Sequence, residues 1–358
     1  MISEYNSTFL LVLSLISLLI TIFTASLKNK AFSNSVALFL VIIYVILFGL
    51  RDYSVGSDTK AYVENFLYKN WDFELLFTAI TYLIKLFTDN PTIYLIILSI
   101  IYGINIYLAY IIFGKNIKCY IVIFIWAVLF SQGMLTGTIN YFRQALGFSF
   151  FLLGLGFYFK KGKIDLCSCI LIISSIFVHN SNAILLSLLF LSRGINLKVI
   201  FIIYIVSLSL FFGDIGQTII NKYGDYYIVQ RTLERHLYFN DRRAISTIYV
   251  HILLYSLHFF IFLYFLKRQI KNKPYKNLLK LYGLILSFSI FLSFNREMAI
   301  RYYIILQYMI PIFYMYISTC IKQKLAFSIL FASYTMLYLY YLLNRPWFTD
   351  QFLGNITP

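Results

Sequence analysis

Charge is scarce in this chain. Asp, Glu, Lys and Arg make up 12% of its 358 residues, and only 14 residues are acidic, while 61% are hydrophobic. With apolar runs that reach membrane-spanning length again and again, that balance leaves an integral membrane protein as the class. Cysteine is sparse too, at four residues. Cys119 and Cys320 stand alone near helix ends. Cys167 and Cys169 are two apart on a helix and point in different directions, so they do not clip one metal and read as apolar filler. No internal repeat, Pro/Gly-rich linker or low-complexity tail divides the chain, which predicts a single integral membrane domain over 1–358. The first apolar run has Glu4 and no basic residue before it, with Lys28 and Lys30 after it. A cleaved signal peptide shows the reverse order, so this run is expected to be a retained helix.

What the chain has in abundance is aromatic and apolar surface. Phe, Tyr and Trp make up 20% of it, with 32 Tyr and 36 Phe, a share that suits lipid-facing bulk and interfacial belts. Apolar runs fall at roughly 8–27, 31–50, 92–113, 118–136, 138–159, 165–192, 197–213, 246–266, 277–295, 298–320 and 325–343. Helix is the reading for all of them, because an unpaired backbone group in hydrocarbon costs several kcal/mol. The stretch 165–192 has basic residues at both ends and His179-Asn180-Ser181-Asn182 in its middle, which predicts two short helices meeting at a polar apex. The shorter stretch 73–88 contains Glu74 and Lys85 and reads as an interfacial or re-entrant helix. The fold class is therefore an all-α polytopic membrane protein with about eleven to thirteen spans, twelve in the preferred topology, both termini outside and outer loops at about 51–72 and 214–245.

The basic residues are not distributed alike. On that topology fifteen of nineteen lysines lie on the cytoplasmic side, as the positive-inside rule requires. Nine of eleven arginines and thirteen of fourteen carboxylates lie on the other. Arginines held against the rule point to an anionic ligand gripped by planar, bidentate guanidinium groups. Nucleic acid does not fit the net charge of +16, because the lysines sit in short clusters between apolar runs, where they meet anionic lipid heads.

Four polar constellations carry the candidate chemistry. Arg51 to Tyr62 follows the second helix directly, with Gly56 allowing a tight backbone and Asp58 nearby. Asn140, Arg143, Gln144 and Gly147 fall on one helical stripe, and an arginine one turn inside a membrane helix is functional by default. His179 at the helix break suits either a structural hydrogen bond or proton transfer. Asn295-Arg296-Glu297 with Arg301 forms the fourth, where Glu297 and Arg301 are spaced for a helical salt bridge that leaves Arg296 unexplained. Arg231, Arg235, Arg242 and Arg243, interleaved with Tyr226, Tyr227, Tyr238 and Phe239, suit a glycan contact or an amphipathic interface helix. His251 and His258 share a helix face without carboxylates and do not read as a metal site; no metal or cofactor is expected.

Three segments resemble the EpsG branch of the Wzy-type polysaccharide polymerases, along most of the chain. They are Gly49-Leu50-Arg51 through Gly56, Asp58 and Tyr62; Phe142-Arg143-Gln144-Ala145 followed by His179-Asn180-Ser181; and Arg301-Tyr302-Tyr303 ahead of Pro311. The chain departs from the pattern at Asn180, where an aromatic would be expected. The resemblance implies a GT-C-like membrane glycosyltransferase of exopolysaccharide, capsule or O-antigen synthesis. It would join oligosaccharide repeat units carried on undecaprenyl pyrophosphate at the outer leaflet of the bacterial cytoplasmic membrane, with a chain-length regulator as a possible protein partner. Arg51, Arg143 and Arg301, then Arg296, are the expected pyrophosphate contacts, with Gln144 beside them. Asp58 is the first candidate for the acceptor base and His179 the second. A flippase for the same lipid-linked sugar and an outer-face glycan ligase are the alternatives.

Overall fold

Apolar chain in lipid must satisfy its backbone within each segment, and every regular element among the described residues is helical. A computed structural model describes residues 7–56, 58–69, 72–116, 120–213, 242–269 and 272–345, with single positions 218, 222 and 348; the side chains of 242–247 and 296–297 fall outside that description. The helices fall into two compact units, residues 1–183 with 311–358, and residues 184–310.

The first unit opens with α1 (Ser7–Ser26) and α2 (Lys30–Gly49), continues through α3 (Thr59–Tyr68), α4 (Leu75–Lys85) and α5 (Pro91–Phe113), and runs on to α6 (Ile121–Leu129), α7 (Gln132–Ile139), α8 (Phe142–Lys161) and α9 (Leu166–Val178). All nine residues of α6 are buried, as expected of a helix that is hydrophobic all round. Trp126 on α6 ties α1 to this core: its indole N–H donates to Ser14 O at 3.1 Å and Ser17 Oγ at 3.0 Å. Close packing elsewhere runs through small residues, as is usual between membrane helices. Gly103 of α5 lies under Val41 and Val45 of α2, and Gly154 of α8 lies against Ser168 and Ile172 of α9.

The second unit holds most of α10 (Ala183–Gly194), then α11 (Leu197–Phe212), α12 (Arg242–Phe265) and α13 (Lys273–Phe291), and the first part of α14 (Arg296–Ser318); α15 (Lys324–Leu343) returns to the first unit. Lys280 Nζ donates to Ser192 O and Ile195 O at the C-terminus of α10, where a cation meets unsatisfied carbonyls. The unit's centre is a stack of His251, Tyr303 and Tyr255, with ring centroids 5.6 and 5.2 Å apart. His251 and His258 are both buried.

Eight of these helices are long and apolar enough to cross a membrane, or nine if the bent pair α6–α7 counts as one span. The predicted break in 165–192 is present: α9 ends at His179, a 3₁₀ turn covers Asn180–Asn182, and α10 follows. Of the twelve segments expected to cross, α9, α10 and α11 have only 13, 12 and 16 residues. Helix α4 has 11 residues, about 16 Å of rise, too short for the hydrocarbon core. One face of it is buried through Phe77, Thr81 and Ile84, while Leu75, Leu83, Leu86 and Phe87 stay exposed around it, the form of an interfacial helix.

Within the segment 51–72, α3 occupies Thr59–Tyr68. One expectation needs correction: the stripe from Asn140 to Gly147 is not one helix. Asn140 caps the C-terminus of α7, the chain turns at Tyr141, and α8 begins at Phe142. Arg143 therefore stands in the first turn of α8 instead of one turn inside a longer helix.

Candidate functional site

The turn after α2 is built to dock on the α7–α8 corner. Gly56 has φ +83°, a left-handed conformation that glycine adopts without strain. It also sits so close to the corner that a Cβ there would lie 2.5 Å from Ile139 O and 2.9 Å from Asn140 Oδ1. Asp52 closes the turn by accepting the Ser54 N–H at 3.0 Å and the Ser54 hydroxyl at 2.8 Å. Those two donors hold its carboxyl below the usual carboxylate range. Arg51 is fully buried: Nε donates to Thr59 Oγ1 at 3.0 Å, Nη1 to Phe48 O at 2.9 Å, and the guanidinium lies 5.5 Å from the Phe142 ring centroid. One buried arginine thus joins the end of α2, the start of α3 and the start of α8.

Asp58 heads α3 and accepts the Tyr62 hydroxyl at 3.2 Å. The Tyr62 ring packs against Phe73, Phe77 and Phe142, so the residues flanking α3 and α4 and the start of α8 share one aromatic wall. Arg143 lies along that wall, its Cζ 4.1 Å from the Phe73 centroid and 5.8 Å from that of Tyr62. Standing in the first turn of α8, it adds a full positive charge to the positive end of the helix dipole.

The partner of Arg143 is Glu74, the residue preceding α4. Nη1 of Arg143 lies 2.6 Å from Glu74 Oε2. The other carboxylate oxygen accepts the Asn180 N–H at 3.5 Å and lies 3.8 Å from His179 Nδ1. Side-chain exposures of 23%, 12% and 14% for Arg143, Glu74 and His179 show that none of the three is fully enclosed. His179 Nδ1 accepts the Ser181 N–H at 3.2 Å, so the neutral ring carries its proton on Nε2.

Below this group lies a tight amide layer. A Cβ on Gly147 would sit 2.3 Å from Asn182 Nδ2 and 2.8 Å from Ser175 O, so only glycine lets α8 approach the α9–α10 break. Asn182 Nδ2 donates to Ser175 O at 3.2 Å. The Gln144 side chain is buried, and neither its Oε1 nor its Nε2 has a hydrogen-bond partner; Asn182 Oδ1 also lacks one. Buried amides of this kind are uncommon and mark places where a polar group of a ligand or a water belongs.

Arg51, Asp58, Arg143, Gln144 and His179, singled out from sequence, are thus gathered in the first unit. Arg301 belongs to the second unit, and the Arg296 and Glu297 side chains lie outside the described residues. The same holds for Arg231 and Arg235, their neighbouring aromatics, and the side chains of Arg242 and Arg243. Sequence reasoning passed over Glu74 and Phe73. The available signal was a carboxylate placed just ahead of an amphipathic segment too short to span. No group of three or more His, Cys, Asp or Glu side chains gathers as a metal site among the described residues.

The family model described as the EpsG family matches residues 34–353, a range that contains every residue of this cluster. No curated protein and no solved structure matches the chain.

Proposed function

Because the chain belongs to the EpsG family, we propose that it is a membrane polysaccharide polymerase that transfers undecaprenyl-pyrophosphate-linked glycan onto a lipid-linked repeat unit at the outer leaflet. The observation that carries the site assignment is the contact of Glu74 with both Arg143 and the His179 turn. In the reaction the glycosidic C–O bond to the pyrophosphate breaks and its electron pair passes to the pyrophosphate oxygen. Arg143, fixed against Phe73 at a helix N-terminus, meets that growing charge. The acceptor hydroxyl oxygen forms the new glycosidic bond and gives its proton to a carboxylate.

Glu74 joins Asp58 as the acceptor of that proton. In the structure described here its charge is balanced by Arg143; a pyrophosphate that draws the guanidinium toward itself frees the carboxylate. Substrate binding and base activation are then one event. His179, with its proton on Nε2, serves as a donor to a ligand oxygen, and it acts as a base only after its tautomer changes. Arg51, buried among protein groups, positions Phe142 and α3 instead of touching pyrophosphate. Gln144 and Asn182 offer hydrogen bonds to sugar hydroxyls or amides. Arg301 and Arg296 remain candidates for anion contact within the second unit.

Deletion of the protein in its host, with surface glycan resolved by length, tests this function. A collapse to single repeat units that the wild type reverses supports a polymerase. Loss of all surface glycan with repeat units held on the inner leaflet points instead to a flippase, and normal chain length without transfer to the final acceptor to a ligase. For the base, Glu74→Gln keeps the size and removes the charge. It is expected to lower polymer synthesis by about a hundredfold at unchanged membrane level. Labelled glycan from the variant at the wild-type rate would exclude Glu74 as the base.

A further inference from the structure

A second cationic site lies in the first unit, at the opposite ends of α2 and α8 from the cluster above. A cavity of about 200 Å³ is lined by Lys30 at the start of α2, Lys115 just past α5, and Lys160 near the end of α8. With 20 residues in each of α2 and α8, it stands about 30 Å from the Arg143 group. Among the described residues none of its lining side chains is acidic, and none of the three lysines pairs with a carboxylate. Three lysines that line one concavity without a carboxylate among the lining residues give it a positive potential that favours an anion. Asn34, one turn along α2, adds an enclosed Oδ1 that has no hydrogen-bond partner, an acceptor among donors.

The walls show what kind of anion fits. Ile111 and Ile112 of α5 line the cavity, and the same helical stripe continues as Leu108 and Ile104, which are 40% and 39% exposed. On α2 the stripe from Lys30 and Asn34 continues as Leu38 and Ile42, the latter 41% exposed. The two helices pack side by side, with Gly103 under Val41 and Val45. An apolar track therefore leads from the cationic cavity along the outside of the helix pair. A soluble anion has no use for such a track; the chains of a lipid do. These helix ends are also the ones that the lysine distribution assigns to the cytoplasmic leaflet, where anionic lipids concentrate.

We propose that this cavity binds the phosphate of an anionic phospholipid, with Lys30, Lys115 and Lys160 around the phosphate, Asn34 accepting a headgroup hydroxyl, and the acyl chains along the α2–α5 track. The site is independent of the polymerase assignment. The test uses the full-length protein in detergent and measures its thermal stability and retained lipid by native mass spectrometry during titration with phosphatidylglycerol, phosphatidylethanolamine or glycerol 3-phosphate. The variant carries Lys30→Gln, Lys115→Gln and Lys160→Gln. All three lysines are exposed, so the core is untouched. A control carries Lys28→Gln, Lys163→Gln and Lys322→Gln, the same loss of charge at exposed lysines outside the cavity.

Phosphatidylglycerol is expected to bind wild type and control alike, at least tenfold tighter than it binds the cavity variant, with phosphatidylethanolamine weaker on all three. If glycerol 3-phosphate stabilises the wild type as strongly as the lipid and loses that effect in the cavity variant, the site takes a soluble phosphate and the lipid assignment is overturned. Equal phosphatidylglycerol affinity of the wild type and the cavity variant, or equal losses in the variant and the control, overturns the site itself.

Discussion

Replacing Arg143 with lysine is expected to cut polymer synthesis by about a hundredfold or more, although the charge is kept. The guanidinium in this position does two things at once: its Cζ lies over the Phe73 ring, 4.1 Å from the centroid, and it presents Nη1 to Glu74 at 2.6 Å. A planar fork can keep its face on the ring while it turns its edge from carboxylate to phosphate. A lysine ammonium is a point charge on a flexible stem and holds only one such partner well. Because Arg143 stands in the first turn of α8 and is not part of the buried core, the lysine variant should reach the membrane at normal level. Glycan length analysis of the complemented deletion strain checks the outcome, and near-normal polymer from Arg143→Lys would exclude a bidentate grip.

Gly56→Ala is expected to destabilise the first unit by about 2–5 kcal/mol and to abolish activity with it. The residue combines φ +83° with a Cβ position 2.5 Å from the Ile139 carbonyl, which is backbone and cannot swing aside. Relief requires the turn that holds Gly56 to lift away from the α7–α8 corner, carrying Arg51 and Asp58 out of register with Phe142 and Arg143. Gly162→Ala is the control: φ is +71°, yet nothing lies within 4 Å of its Cβ position. It should cost about 1–2 kcal/mol and leave activity intact. Melting curves of the purified variants decide between them. Equal losses would mean that only the backbone conformation matters at Gly56 and that the docking on Ile139 does not.

How far these contacts were legible in sequence depended on whether they are local. The break at His179 was, because four consecutive polar residues inside an apolar run have no place in lipid. The short segment 73–88 was, because its length alone forbids a crossing. The corner at Asn140–Tyr141 was not: no proline or charge interrupts 121–142, and the turn that packs on it through Gly56 comes from more than eighty residues away. Helix α3 was hidden by its mixed polarity, with Lys60 and Glu64 facing out while Tyr62, Val63 and Phe66 face in. Glu74 was missed for the same reason as the corner. Its partner Arg143 is 69 positions on, and only folding reveals that a carboxylate ahead of one helix neutralises an arginine opening another. Arg51 was legible as a residue of consequence, but its place inside the protein was not, since a sequence does not say whether a helix-end arginine faces a cavity or its own backbone.

The most direct measurement is glycan transfer by the purified protein in liposomes supplied with undecaprenyl-pyrophosphate-linked repeat units, with products separated by length. The proposed function predicts a ladder of polymer from the wild type and single repeat units from Arg143→Ala in liposomes that hold the same amount of folded protein. A wild-type preparation that leaves the repeat units unjoined, or an Arg143→Ala ladder equal to that of the wild type, would contradict it.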